Sequence, residues 1–164
     1  MLVYLMRHGK AERSATWDEG RELTVEGVLQ NRSVIKKLFS RSPIIDKGFV
    51  SPFERAKQTA ADFHLIFPGV ELEETRLLIP ESDPYDVLNL LEEKQDHHLI
   101  LIAHNPLLSR LFSLLVDGTT EGARQVETSN ALCIMMGIIA PGCGELKYVL
   151  SPVSYTHLTL PTIA

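Results

Sequence analysis

The sequence predicts an α/β fold: one domain built as a three-layer sandwich, with a mainly parallel sheet and helices on both faces. Two short apolar runs, Leu2 to Met6 and Leu99 to Ala103, are continuous rather than alternating, which marks strands buried on both faces. Segments with apolar residues at helical spacing lie between and beyond them, so strand and helix signals alternate along the chain. A chain of 164 residues is long enough for one sizeable core but not for two. The domain is expected to occupy residues 1–152.

Each element has its own local reason. Leu2 to Met6 forms the first strand, and the polar stretch Lys10 to Glu22, which contains Trp17, reads as a long loop. Thr24 is placed to cap a helix to about Ser40, with Val28, Leu29, Ile35, Leu38 and Phe39 as its apolar stripe. Phe49-Val50 ends a second strand. Ser51 then carries a set of start signals, with Pro52 at the first helical position and Glu54 three residues on. The helix it opens should run to about Phe67 and stop before Pro68-Gly69.

A third strand falls within Val70 to Leu78, interrupted by charges, and Pro84 opens a helix to about Lys94. His98 to Ala103 is the next strand, entered through His98. Asn105 caps and Pro106 starts a helix whose inner stripe is Leu107, Leu108, Leu111 and Leu115. Leu132 to Ile139 and Leu146 to Leu150 read as two closing strands around Pro141-Gly142-Cys143-Gly144. From Val153 the pattern breaks: Ser154 to Thr162 has no charge and no period tied to the rest. Residues 153–164 read as a non-native or disordered tail, which leaves His157 outside the domain.

Composition narrows the function classes. Hydrophobic residues at 45% and charged ones at 23% are ordinary globular values, and the net charge of -5 argues against a general nucleic-acid binder. Cys133 and Cys143 are too few and too dispersed for a disulfide framework or a zinc site, and read as a strand residue and a loop thiol. The opening Met1 to Met6 run lacks a basic leader and is too short for a signal peptide. Apolar runs all fall well short of the ~20 residues of a membrane helix. The expected setting is soluble, reducing and cytoplasmic, without nucleic acid or membrane as partner.

Chemistry gathers where the strands end. The first strand runs straight into Arg7-His8-Gly9, the second into Ser51-Pro52-Phe53-Glu54-Arg55-Ala56, and the fourth into His104-Asn105-Pro106. Ligand crevices of open α/β sheets lie at that carboxyl edge. Two arginines and two histidines delivered there suit a dianionic phosphoryl group. His8 is the candidate nucleophile, because an imidazole attacks phosphorus when one nitrogen keeps its lone pair and the other donates a hydrogen bond. Gly9 lets the chain turn and leaves backbone N–H groups open. Arg7 can hold two oxygens with its fork. Arg55, disfavoured by the macrodipole in a first helical turn, becomes favourable beside an anion. His104 can donate to the same oxygens. Such a site needs no metal and no cofactor. His64 and His97 read as solvated or structural, His98 as strand entry, and Trp17 as a loop residue packed on the body.

At these residues the chain resembles the histidine phosphatase superfamily. Met6-Arg7-His8-Gly9 is similar to its nucleophile motif, Ser51 to Thr59 to its second phosphate-binding segment, and Ala103-His104-Asn105-Pro106 to its second-histidine segment. Within the superfamily the chain is most similar to SixA-type phosphohistidine phosphatases. Arg21 to Gly27, Thr128-Ser129-Asn130-Ala131 and Leu150-Ser151-Pro152 also fit that group, so the resemblance spans Met1 to about Pro152. It implies that His8 becomes phosphorylated while Arg7, Arg55 and His104 bind the phosphoryl group. Larger relatives add an acid that protonates an alkoxide leaving group, and Glu81, in Ile79 to Pro84, is the corresponding candidate here.

The expected function is a metal-independent protein phosphohistidine phosphatase acting on a phosphorylated histidine-phosphotransfer domain or another phosphohistidine protein. A chain without a long insertion over the site suits a phosphoryl group presented by another protein. Two alternatives stay open at this point: a phosphomonoesterase for a small metabolite, and a phosphate-binding module without turnover.

Overall fold

The computed structural model describes residues 1–13, 16–122 and 124–152; the tail from Val153, with His157, lies outside the described residues. The strands are β1 (Leu2–Arg7), β2 (Lys47–Val50), β3 (Glu71–Glu74), β4 (Leu99–Ala103), β5 (Ala131–Met136) and β6 (Gly144–Leu150). They form one sheet in the order β3-β2-β4-β1-β5-β6. β1 pairs in parallel with β4, and β2 with both β4 and β3, while β5 runs antiparallel to β1 and β6. The mainly parallel sheet is therefore mixed at one edge, where the short turn between β5 and β6 leaves no room for a crossover helix.

The helices are α1 (Val25–Ser40), α2 (Glu54–Ile66), α3 (Pro84–Glu93) and α4 (Leu107–Asp117). β4 is buried along its whole length, as a continuous apolar run requires. Its residues divide between two cores: Leu99, Leu101 and Ala103 face α3 and α4, whereas Ile100 and Ile102 face α1 and α2. Helices thus cover both faces. Among the described residues no helix is long and apolar enough to cross a membrane.

Several local expectations hold in detail. Thr24 accepts a hydrogen bond from the Gly27 amide and caps α1, and Pro84 opens α3, with Asp83 before it as the cap. Leu107, Leu108, Leu111 and Leu115 are all buried on α4, and Asn105 Oδ1 accepts from the Ser109 amide at its start. Pro106 precedes the helix rather than opening it. His98 marks strand entry: its Nδ1 accepts from the Leu2 amide (2.9 Å) and its own amide donates to Asp46 (2.7 Å).

Three readings are corrected. The inner face of α1 is Gly27, Asn31, Val34, Ile35 and Leu38, whereas Leu29 and Phe39 are exposed. A glycine and an asparagine lie on the buried face because the chain after His8 packs against it. A Cβ on Gly27 would fall 2.3 Å from the Lys10 carbonyl oxygen, and one on Gly9 2.8 Å from Asn31 Oδ1. The third strand falls within its expected span, at Glu71–Glu74, and a 3-10 turn, Arg76–Leu78, follows it. Trp17 stays exposed, its ring lying over Gly20 instead of in the core. Finally, Ser51 does not cap α2, which starts at Glu54. The Ser51 oxygen instead accepts from the Phe53 amide in a tight turn and contacts His104.

Candidate active site

Parallel pairing of β2, β4 and β1 carries their carboxyl ends to one edge of the sheet, and that registers Arg7, His8, Ser51 and His104 side by side. Arg7 lies opposite Ala103 in the register, the His8 amide donates to the Ala103 carbonyl (3.0 Å), and the Ser51 amide to the Ile102 carbonyl (3.1 Å). On the other side the Ser129 amide donates to the His8 carbonyl (3.1 Å). The His8 backbone is therefore fixed from both neighbouring segments before its side chain makes any contact.

A buried polar network lies beneath it. The Gly9 amide donates to Thr59 Oγ1 (3.1 Å), which itself donates to the Arg55 carbonyl (2.9 Å) and accepts from Asn31 Nδ2 (3.1 Å). Asn31 also donates to Asp62, and its Oδ1 accepts from Ser129 Oγ (2.7 Å). Asn31, Thr59 and Ser129 are fully buried. Satisfied networks of this kind rigidify what they hold, and here they tie α1, α2 and the loop before β5 to the residue after His8.

The His8 ring has a defined tautomer. Its Nδ1 lies 2.7 Å from the Gly9 carbonyl, which can only accept, so Nδ1 carries the proton and Nε2 keeps its lone pair. Arg55 Nε–H points at that Nε2 from 3.4 Å. The His104 ring centroid is 5.0 Å from that of His8. His104 Nε2 is 2.7 Å from Ser51 Oγ. If the Ser51 hydroxyl donates to it, the His104 proton sits on Nδ1. Two atoms at this edge, His104 Nδ1 and Arg7 Nε, are buried without a hydrogen-bond partner. Arg7 is held by its other end, with Nη1 donating to the Val126 carbonyl (3.0 Å).

Both imidazoles are held neutral. Burial pushes His8 from 6.5 down to about 3, with Arg55, Arg7 and Arg21 acting in the same direction against the Gly9 hydrogen bond. Burial likewise pushes His104 down to about 2, aided by His8 and the same three arginines. A neutral His8 is what attack on phosphorus needs, since protonation would remove the lone pair. The sign for stability follows. Below 6.5 the unfolded chain binds protons that the folded histidines refuse, so stability falls as pH drops from about 6.5 toward 3. Thermal unfolding midpoints measured between pH 7 and pH 4 should fall, and His104→Asn should fall less than the parent. Equal losses in both proteins would rule out His104 as a contributor.

The structure thus brings Arg7, His8, Arg55 and His104 together. Glu81 is exposed in the turn before α3 and makes no hydrogen bond to any of the four. Three participants carried no obvious signal in the sequence. Ser51 reads as a helix cap, Asn31 as a polar residue off the apolar stripe, and Asp18 as an ordinary loop acid. Asp18 lies in a 3-10 turn, Asp18–Gly20, beside the site. Its carbonyl accepts from Arg55 Nη1 (2.7 Å) and its Oδ2 from Arg55 Nη2 (3.1 Å). His64 and His97 are exposed and remote from the cluster, in keeping with a solvated reading.

Fold and site together define a class: an α/β protein with paired histidines and arginines at the carboxyl edge of its sheet, a geometry suited to a phosphoryl group. Residues 3–78 match the sequence profile of the histidine phosphatase superfamily (branch 1). The chain is 32% identical over 159 residues to phosphohistidine phosphatase SixA of Escherichia coli, an alignment covering 93% of this chain and 94% of the relative. It is 32% identical over 129 residues to the phosphohistidine phosphatase SixA homolog of Haemophilus influenzae, covering 70% and 77%. The solved structure of the protein histidine phosphatase SixA complexed with tungstate superposes with a TM-score of 0.80 at 28% identity, covering 93% of this chain and 97% of that one. The chain belongs to the histidine phosphatase superfamily.

Proposed function

We propose that this protein is a metal-independent phosphohistidine phosphatase that works through a phosphorylated His8, in the cytoplasm, on a phosphorylated histidine-phosphotransfer domain or another phosphohistidine protein. One observation carries the reading. A neutral imidazole with its Nδ1 proton tied to a carbonyl offers its free Nε2 beside Arg55, at an edge where Arg7 Nε–H and His104 Nδ1 find no hydrogen-bond partner among the described residues. A tetrahedral oxyanion supplies acceptors to the Arg7 and Arg55 N–H groups, with its central atom toward the His8 lone pair. The relative solved with tungstate holds such an anion, and the curated relatives are phosphohistidine phosphatases.

The chemistry balances without an added acid. His8 Nε2 forms a bond to phosphorus as the phosphorus–nitrogen bond of the substrate breaks. A phosphohistidine whose other ring nitrogen is protonated leaves as neutral imidazole, so no proton has to be delivered. Phospho-His8 then carries its Nδ1 proton, still bound to Gly9. Water attacks phosphorus, its oxygen becomes the fourth phosphate oxygen, and both its protons leave on dihydrogen phosphate. His8 returns neutral. Arg7, Arg55 and His104 stabilise the charge spread over the equatorial oxygens. His8 is only 6% exposed, so a phosphoryl group reaches it best on a protruding stem, which a phosphorylated imidazole provides.

An alkyl phosphoester differs, because its alkoxide needs a proton on leaving. Glu81 is the candidate acid for that case. Glu81→Gln should keep phosphohistidine hydrolysis within about tenfold of the parent. Any slow turnover of a sugar phosphate or phosphoserine should fall further, toward the about 10²–10⁴ of general-acid help. Assays of both substrate types at one pH test this, and a large loss on phosphohistidine would give Glu81 a direct part.

The deciding experiment incubates the protein with a phosphorylated phosphotransfer domain beside a panel of metabolite phosphates. Turnover of one metabolite, with none of the phosphorylated protein, would make it a phosphomonoesterase. A failure to trap phosphoenzyme would favour binding without turnover. Chelation should leave the rate unchanged, since cationic side chains take the place of a Lewis acid. Among the described residues no three His, Cys, Asp or Glu side chains are grouped to hold a metal ion. Loss of activity on chelation with rescue by magnesium would point to another mechanism.

A further inference from the structure

Arg55 is 5% exposed at its side chain and must satisfy five N–H donors. Asp18 takes the end of the planar group, with its carbonyl on Nη1 and its Oδ2 on Nη2. The Nε–H and the second Nη2–H lie along the adjoining edge, and that edge is the one turned toward His8 Nε2. A blocking anion would cover the edge facing His8; Asp18 covers the other. Its second oxygen, Oδ1, accepts from Arg21 Nη1 (3.0 Å), while Arg21 Nε donates to the Glu12 carbonyl (2.7 Å). The charges of Asp18 and Arg21 cancel, so the site keeps the positive charge of Arg7 and Arg55. Burial works against the Asp18 carboxylate, but hydrogen bonds from Arg21 and Arg55 outweigh it and hold the group ionised.

We infer that Asp18 is a positioning residue: it grips the end of the Arg55 guanidinium so that the Nε edge faces the phosphoryl group on His8, and Arg21 holds Asp18 in place. This rests on the reading of the edge as a phosphoryl site. An ordinary exposed ion pair would contribute little. Here one partner is a buried arginine whose end meets no other acceptor among the described residues, and the 3-10 turn presents a carbonyl as well as a carboxylate.

Inorganic vanadate, a tetrahedral oxyanion, probes the site without assuming a substrate. Its affinity is measured for the parent, Asp18→Ala, Arg55→Ala and the double variant, with Asp18→Asn as the variant that keeps a neutral acceptor. Asp18→Ala should weaken vanadate binding by about tenfold, the scale of a hydrogen bond to a charged group. In the Arg55→Ala background the same change should matter less than twofold, because Asp18 acts through Arg55. Asp18→Asn should fall between parent and Asp18→Ala. Thermal unfolding checks that each variant is folded, which the exposed turn position of Asp18 favours. Equal loss in both backgrounds, or no loss, overturns the inference. Tighter binding in Asp18→Ala also overturns it, by making Asp18 a competitor of the anion. A parent that binds no vanadate overturns the phosphoryl-site reading itself, and the inference with it.

Discussion

Replacing His8 with Ala should abolish turnover while leaving the anion site able to bind vanadate. The His8 imidazole is placed to take the phosphoryl group, with its Nδ1 proton hydrogen-bonded to the Gly9 carbonyl and its Nε2 lone pair free, whereas His104 has its Nε2 engaged with Ser51. Loss of a covalent nucleophile in other enzymes costs up to about 10⁶ in kcat, so a fall of at least about 10⁴ is expected here. Arg7, Arg55 and His104 remain in His8→Ala and still offer donors. Two measurements check it: acid-quenched phosphoenzyme, which should disappear, and vanadate affinity, which should change far less than the rate. Near-normal turnover would remove His8 from the nucleophile role. Phosphoenzyme that persists, mapped to His104, would reverse the assignment of the two rings.

Arg55→Ala should have the next largest effect. It removes the donor 3.4 Å from His8 Nε2 and the one link between Asp18 and the site. A single preorganised donor to developing charge is worth about 10²–10³ in kcat, and a loss of that order is expected. Arg55→Lys should recover little. An ammonium has no planar fork, so it cannot hold Asp18 with one edge and present another to phosphate. The pH–rate profile offers a separate check. Burial is the main reason His8 stays neutral, and Arg55 adds to it. Removing Arg55 should therefore shift the acidic limb of the profile to higher pH by part of the full displacement. An unchanged limb would mean that Arg55 and His8 do not share a field.

Where the chain's signals were local, the reading of elements held. Thr24, Pro84 and the leucines of α4 behave as their neighbours in sequence imply, because helix starts and helical stripes depend on residues within a turn of one another. Ser51 shows the limit. Its pattern with Pro52 and Glu54 matches a helix start, yet its hydroxyl goes to Phe53 and to His104, 53 residues away. Capping competed with a tertiary partner and lost. Asn31 carried no signal for a related reason: on a helix, polarity signals solvent unless a buried partner exists, and Thr59, Asp62 and Ser129 come from distant segments.

By itself the sequence determined the α/β class, the strand ends that carry Arg7, His8, Arg55 and His104, and the family resemblance, since each is written in contiguous residues. Tertiary structure alone decided which ring nitrogen of His8 is free, that both histidines are neutral, and that Asp18 meets Arg55. Those outcomes depend on desolvation and on groups brought within about 3 Å by strand order, and neither distance nor burial is encoded in sequence spacing.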